Sequence, residues 1–346
     1  MDKTMKAFVL EKYNSPLVLK DVPMPQIGDD DVLVRVRAAG ICGTDLKIYT
    51  GKLDGIIKLP HIPGHEGAGE IIKTGKNVKN IKPGDRGIVY HYIPCRDCEL
   101  CRTGKENICF EIKRTGFELD GAFAEYIAIP AYNFCPVDDE KVSWSEMAVL
   151  PDAVLTPYHA LKTLGKLKKG AKVLIIGLGG LGLHAVMLGK MLGADVAGAD
   201  IRDNSLTEAK RYGADIVFNP VSQNPGSVIR DWTEGHGADV VLDGVGTGAT
   251  FPWALKNLKK GGKLVLMGYD PINPVPLDAL GMHYNEWEII GSRLGTKQEL
   301  IELINYTKNG TLKPIVSSEL EMTSLNRVFT ESLLESIYGR IVFKGL

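Results

Sequence analysis

Four of the six cysteines in this 346-residue chain crowd into fifteen positions: Cys95, Cys98, Cys101 and Cys109, spaced C-x2-C-x2-C-x7-C. Thiolates this dense in a chain this long point to a tetrahedral metal site. Zn2+ bound by four sulfurs has a closed shell, leaves no position for substrate, and contributes folding energy to the loop that carries it. The loop 95–109 is therefore expected to hold a structural zinc. An iron–sulfur cluster favours a shorter last gap followed by proline, whereas here the gap is seven and Phe110 follows. Disulfides suit small secreted domains. This chain is long, and its start, MDKTMKAFVLEKYN, lacks the apolar core of a secretion signal, so the expected location is cytoplasmic.

A chain of 346 residues should divide into about two domains, each with its own core. Its formal charge of -1 gives no electrostatic reason to expect a nucleic acid or an anionic membrane as partner. Residues 173–189 carry no formal charge, but they contain five glycines and a histidine and fall short of a bilayer span. A buried strand, a turn and a helix account for them better.

The first third reads as β-rich. Val32, Val34 and Val36 alternate with Leu33, Arg35 and Arg37, the period of a half-buried strand. From about Lys172 the rhythm becomes strand–helix alternation, with strands expected over 173–176, 196–199, 216–218, 240–242, 264–267 and 288–290. Parallel neighbours need crossover connections, so this pattern implies a doubly wound α/β sheet of six strands. A capping box is expected at Ser205-Leu206-Thr207-Glu208. The tail, with a helix near 298–308 and a strand at 340–343, is expected to return to the first domain because the sheet is already complete.

Gly177-Leu178-Gly179-Gly180-Leu181-Gly182 follows an apolar strand and opens a helical stretch. In that context Gly177 permits the tight turn, Gly179 lets backbone approach a pyrophosphate, and Gly182 lets the helix pack closely. The first N–H groups of the helix then face phosphate. Asp200 lies 18 residues past Gly182, where a carboxylate would accept hydrogen bonds from a ribose and repel a 2′-phosphate. NAD is thus expected over NADP, with Arg202 able to soften the preference.

Outside the cysteine loop, Cys42 lies in Ala39-Gly40-Ile41-Cys42-Gly43-Thr44-Asp45, and Gly64-His65-Glu66-Gly67 follows. Cysteine, histidine and carboxylate can form an open zinc site, but spacing alone neither joins Cys42 to His65 nor selects a third ligand. Cys135 reads as a buried, inert thiol. Together with the cysteine loop and the glycine motif, these segments resemble the zinc-containing alcohol dehydrogenases of the medium-chain dehydrogenase/reductase superfamily.

The resemblance spans the whole chain. It implies a GroES-like β-rich catalytic domain over 1–153, a Rossmann NAD-binding domain over 154–291, and a return segment, 292–346, that completes the first. It implies two Zn2+ per chain, the second held by Cys42, His65 and Asp152, with Glu66 able to enter the coordination and Asp45 orienting the histidine. Thr44 matches a hydroxyl that accepts the substrate proton, Thr156 a residue touching nicotinamide, and Arg340 a residue reaching the cofactor phosphates. Two positions depart from common patterns: Lys47 stands where many relatives end the proton relay with histidine, and Gly43 where some carry a basic residue. An unperturbed lysine titrates near about 10.4 and is a poor shuttle at neutral pH. The implied activity is reversible hydride transfer between an alcohol and NAD, with a polyol or L-threonine-type dehydrogenase as rival and a zinc-free reductase or inactive nucleotide binder as a remote alternative. The implied partners are a small alcohol or carbonyl substrate and further copies of the chain, as a homotetramer or homodimer.

Overall fold

The computed structural model describes residues 3–330 and 338–346. They form two compact units, Met1–Ala153 with Thr296–Leu346, and Val154–Gly295.

The first unit is built on a seven-stranded sheet whose long central strand is Asp31–Ile41. Val32, Val34 and Val36 face the core, and Leu33 is buried as well. On either side run Arg340–Lys344 and Glu66–Thr74, both antiparallel to it. Their registers set Ile341 opposite Ile41 and Glu66 opposite Gly40. The three strands therefore bring Arg340, Cys42 and Glu66 to one end of the sheet, although Arg340 and Cys42 are nearly 300 positions apart in sequence. Val316–Glu321 adds to the outer side of Arg340–Lys344.

The second unit is a six-stranded parallel sheet in the order Ile216–Phe218, Asp195–Ala199, Lys172–Ile176, Ala238–Asp243, Leu258–Leu266, Glu288–Gly291. All six expected strands are present. Counted along the chain the order is 3-2-1-4-5-6, the doubly wound arrangement of a Rossmann sheet. The uncharged stretch resolves into the strand Lys172–Ile176 and the helix Gly180–Met191. Among the described residues no helix is long and apolar enough to cross a membrane.

Two expectations need correction. The helix expected to start at a Ser205 cap spans Asp203–Arg211 instead, which puts Ser205 inside its first turn as a buried residue. The helix begins as soon as the chain leaves Asp200, whose carboxylate accepts the Arg202 N–H at 2.9 Å and sets the entry. The return to the first unit falls at Thr296 rather than at residue 292. Ser292 still donates its N–H to the Leu266 carbonyl at 2.8 Å, extending the Rossmann sheet beyond Gly291.

Candidate active site and metal centres

In the cysteine loop the sulfurs form a tight four-membered group. Cys98 Sγ lies 3.5 Å from Cys101 Sγ and 3.8 Å from Cys109 Sγ, while Cys95 Sγ lies 3.9 Å from Cys101 Sγ and 3.4 Å from Cys109 Sγ. Disulfide sulfurs sit about 2.05 Å apart, so no pair here is bridged. A tetrahedron with Zn–S near about 2.3 Å requires edges of roughly 3.8 Å, which these separations approach. Backbone amides support the arrangement: Cys98 N–H points at Cys95 Sγ, and the N–H groups of Cys95 and Glu111 point at Cys109 Sγ. Amide hydrogen bonds draw the Cys98 thiol down to about 6, a direction that favours the ligating thiolate.

The second cluster joins Cys42, His65, Glu66 and Asp152, with one donor atom from each lying within 4.8 Å of the others. Each member arrives by a different local route. Cys42 ends the central strand at the start of the helix Gly43–Tyr49, whose Asp45 carboxylate accepts the Cys42 N–H at 2.8 Å. The other Asp45 oxygen lies 3.2 Å from His65 Nδ1, so one buried carboxylate ties the two ligand segments together. That leaves His65 Nε2 facing the cluster, 3.6 Å from Asp152 Oδ2. Asp152 sits on a widened π-type turn, Leu150–Val154, a distortion frequent at functional sites because it re-aims side chains. It is not the ordinary helix-start acid that its neighbours in sequence suggest.

Glu66 carries the clearest mark of a missing partner. Its Oε2 is fully buried and accepts no hydrogen bond, and burial pushes its pKa well above the usual carboxylate range. Asp152 moves the other way: burial acts to raise it, but hydrogen bonding to His65 and the Arg340 charge hold it well below that range. A buried, unpaired carboxylate oxygen in one cluster with a cysteine sulfur, an imidazole and a second carboxylate fits a divalent cation. Gly40 makes the cradle possible, since a Cβ there would lie 2.1 Å from Glu66 Oε2. Sequence reading missed Gly40, although a glycine within a strand is a recognisable sign of close approach.

Arg340, expected to reach cofactor phosphates, has its guanidinium buried within the donor cluster. Nε donates to Glu66 Oε1 at 2.9 Å, and Nη2 donates to Cys42 Sγ at 3.2 Å and to Asp152 Oδ2 at 2.9 Å. One guanidinium thus bridges all three side chains, and the register of the last strand delivers it. No spacing pattern in the sequence could have signalled it.

Thr44 Oγ1 lies 3.7 Å from Cys42 Sγ, at the edge of the cluster, and Lys47 follows one turn later on the same helix. Cys135 is buried on Phe134–Pro136 and burial pushes its thiol up to about 11, an inert position.

In the Rossmann unit, Gly177 has φ +84°, and Gly182 packs so closely that a Cβ would meet the Gly177 carbonyl at 1.9 Å. Above Gly179, the cap of Gly180–Met191, the nearest atom is Arg202 Nη2 at 3.8 Å from such a Cβ. Backbone can therefore be approached there, and the amides of Gly180, Leu181 and Gly182 open the helix. Asp200 is buried, with Oδ2 accepting the Leu178 N–H at 2.7 Å and Oδ1 lying 3.2 Å from Arg202 Nε. Thr156 is buried on Leu155–Tyr158 of the same unit.

A Rossmann unit with an open glycine turn, and a β-rich unit with two clusters of metal donors, define a metal-binding dehydrogenase. Two family models match the chain: the alcohol dehydrogenase GroES-like domain over residues 28–139 and the zinc-binding dehydrogenase over residues 180–309. An alcohol dehydrogenase of Geobacillus stearothermophilus is 38% identical over 98% of this chain and 99% of its own. An L-threonine 3-dehydrogenase of Symbiobacterium thermophilum is 38% identical over 80% of this chain and 79% of its own. The alcohol dehydrogenase of the archaeon Aeropyrum pernix superposes with a TM-score of 0.90 at 32% identity, covering 98% of this chain and 99% of that one. The chain belongs to the zinc-containing alcohol dehydrogenase family of the medium-chain dehydrogenase/reductase superfamily, and is an oxidoreductase with a GroES-like domain and a Rossmann domain.

Proposed function

We propose that the protein is a zinc-dependent dehydrogenase that transfers hydride reversibly between a primary or secondary alcohol and NAD, giving an aldehyde or ketone. The observation that supports this reading is the cluster of Cys42, His65, Glu66 and Asp152, one donor atom of each within 4.8 Å of the others, in which Glu66 also keeps a buried carboxylate oxygen without a hydrogen-bond partner. Cys42, His65 and Asp152 would hold Zn2+, with Glu66 as an alternative ligand, and Cys95, Cys98, Cys101 and Cys109 would hold a second, structural ion. Zn2+ at the first cluster would supply Lewis acidity, which lowers the pKa of a bound water from about 15.7 to about 7 and that of an alcohol comparably.

The chain's own groups do the rest. Asp45 fixes the His65 tautomer and ring orientation. Thr44, beside Cys42, accepts the hydroxyl proton of the substrate and passes it on, and Lys47 lies one turn further along that path. Gly177, Gly179 and the helix start through Gly180, Leu181 and Gly182 bind the dinucleotide phosphates, with Thr156 against the nicotinamide and Asp200 on the adenine-side ribose. Thr44→Ala is expected to lower kcat about a hundredfold while leaving zinc content unchanged, the usual loss for a proton-transfer group. Turnover near that of the wild type would remove Thr44 from the relay.

Cofactor choice follows from Asp200. Its carboxylate bears on the ribose hydroxyls and opposes a 2′-phosphate, although Arg202 partly neutralises it. The kcat/KM ratio is expected to favour NAD over NADP, and Arg202→Ala should widen the gap by exposing the full carboxylate charge. A clear preference for NADP refutes the assignment.

The similarity to an L-threonine 3-dehydrogenase supports a second reading, in which the same chemistry acts on a polyol or threonine-type substrate. A panel of simple alcohols, diols, sugar alcohols and threonine, run with metal analysis, tests both readings. Turnover of none of them, in protein carrying zinc only at the cysteine loop, rejects both. A homotetramer or homodimer in the cytoplasm completes the proposal.

A further inference from the structure

The amino end of the parallel sheet carries a concentration of positive charge that neither hydride transfer nor dinucleotide binding uses. Two Lys-Lys-Gly segments, Lys168-Lys169-Gly170 just before the strand Lys172–Ile176 and Lys259-Lys260-Gly261 at the irregular start of Leu258–Leu266, lie close ahead of Lys172 and Lys263. Both glycines adopt positive φ, +77° and +71°, and nothing lies within 4 Å of a Cβ built on either. Lys172–Ile176 and Leu258–Leu266 flank Ala238–Asp243 on its two sides, with Val240 in register with Val173 and with Lys263. The two segments thus face each other across the start of one central strand.

A cavity of about 260 Å3 lies between them, lined by Lys166, Lys168, Lys259, Lys260, Lys263 and Asp239 among others. Asp239 is the only acidic residue in that lining, and it is already engaged. Its Oδ2 accepts the Lys172 N–H at 2.9 Å, and its Oδ1 pairs with Lys259 Nζ at 2.9 Å. Lys263 pairs with Glu288 on the neighbouring strand. Among the described residues Lys166, Lys168 and Lys260 have no carboxylate partner, so three cations converge on one concave space without compensation. Lys166 is also held at φ +51°, a left-handed conformation that costs a lysine free energy.

A chain with a formal charge of -1 has no overall excess of cations to explain this clustering. Unpaired like charges facing a concave surface raise the local concentration of anions. The glycine turn for the dinucleotide follows the opposite, carboxyl end of Lys172–Ile176, roughly 16 Å away at about 3.3 Å per residue. The two sites are separate.

We propose that this cavity binds a small molecule carrying two or more phosphate groups, gripped by Lys166 and Lys168 from one side and Lys260 from the other. The proposal is independent of the redox reading. Its test is calorimetric titration of inorganic pyrophosphate into the full chain at low ionic strength. Two variants are compared with wild type: Lys166→Gln/Lys168→Gln/Lys260→Gln, and Arg202→Gln at the dinucleotide site. The expected result is that the triple variant binds pyrophosphate at least tenfold more weakly at one site, while Arg202→Gln retains that site. Added salt should weaken wild-type binding there more than binding to the triple variant. All three substitutions are on exposed side chains, so the triple variant's unfolding temperature without ligand should match wild type. An isotherm shared by wild type and triple variant, or a loss caused by Arg202→Gln alone, overturns the proposal.

Discussion

Replacing Arg340 with methionine is expected to lower the apparent unfolding free energy of the metal-free protein by about 3–5 kcal/mol, the usual consequence of removing one partner from a buried ionic group. Methionine keeps much of the volume and removes the charge, so the loss reports electrostatics rather than a cavity. Arg340 is 6% exposed, and its guanidinium satisfies Glu66, Cys42 and Asp152 together. Without it, Glu66, Cys42 and Asp152 lose their shared donor in a buried site, and the protein must admit water or open. A divalent cation held by the same donors supplies the missing charge. The variant should therefore recover much of its deficit when Zn2+ is restored, and urea unfolding with and without zinc measures both quantities. An equal deficit in the two states would show that Arg340 acts by packing alone. The methionine variant should also take up zinc at the Cys42 site with altered affinity, measured by chelator competition, because cation and guanidinium draw on the same oxygens.

The same residue marks where sequence reading stops. The Rossmann half was legible because its signals are local: apolar runs of two to four residues, glycines at the first turn, and an acid at the end of the second strand. Every strand of that sheet could be placed from such patterns. The cysteine loop was legible because its four cysteines lie within fifteen residues. The other cluster was only half legible. Cys42 and His65 could be singled out by residue type, but their meeting depends on the pairing of Asp31–Ile41 with Glu66–Thr74, and spacing does not encode register. Asp152 needed the family resemblance, because an acid near proline and an apolar run is usually a helix start. Arg340 was singled out by the resemblance as a residue reaching phosphate, and its place beside the donors depends on the pairing of Ile341 with Ile41. The Ser205 cap failed for a more local reason: the Asp200 carboxylate captured the Arg202 amide and began the helix earlier.

Cys42→Ala should separate the two metal centres. Wild-type protein is expected to carry about two zinc equivalents per chain, and the variant about one, kept by Cys95, Cys98, Cys101 and Cys109. Loss of the thiolate takes away the softest and most strongly electron-donating ligand of the site. It also takes from Arg340 one of its three acceptors, so the remaining carboxylates close around the guanidinium instead of around a metal. Activity should fall at least about a thousandfold, because the acidity that the ion lends to a hydroxyl corresponds to several pKa units. The fold should survive, since the sheet register that places Cys42 comes from backbone pairing and from core residues such as Val34, Ile71 and Phe343. The complementary change, Cys98→Ser, should give the reverse pattern. Zinc again falls to about one equivalent, but the loss appears first as lower stability and earlier proteolysis within the loop, because a structural ion contributes folding energy. Metal analysis, turnover and limited proteolysis on the two variants together decide the assignment. If Cys42→Ala retains both equivalents and full turnover, the cluster of Cys42, His65, Glu66 and Asp152 is not the reactive centre.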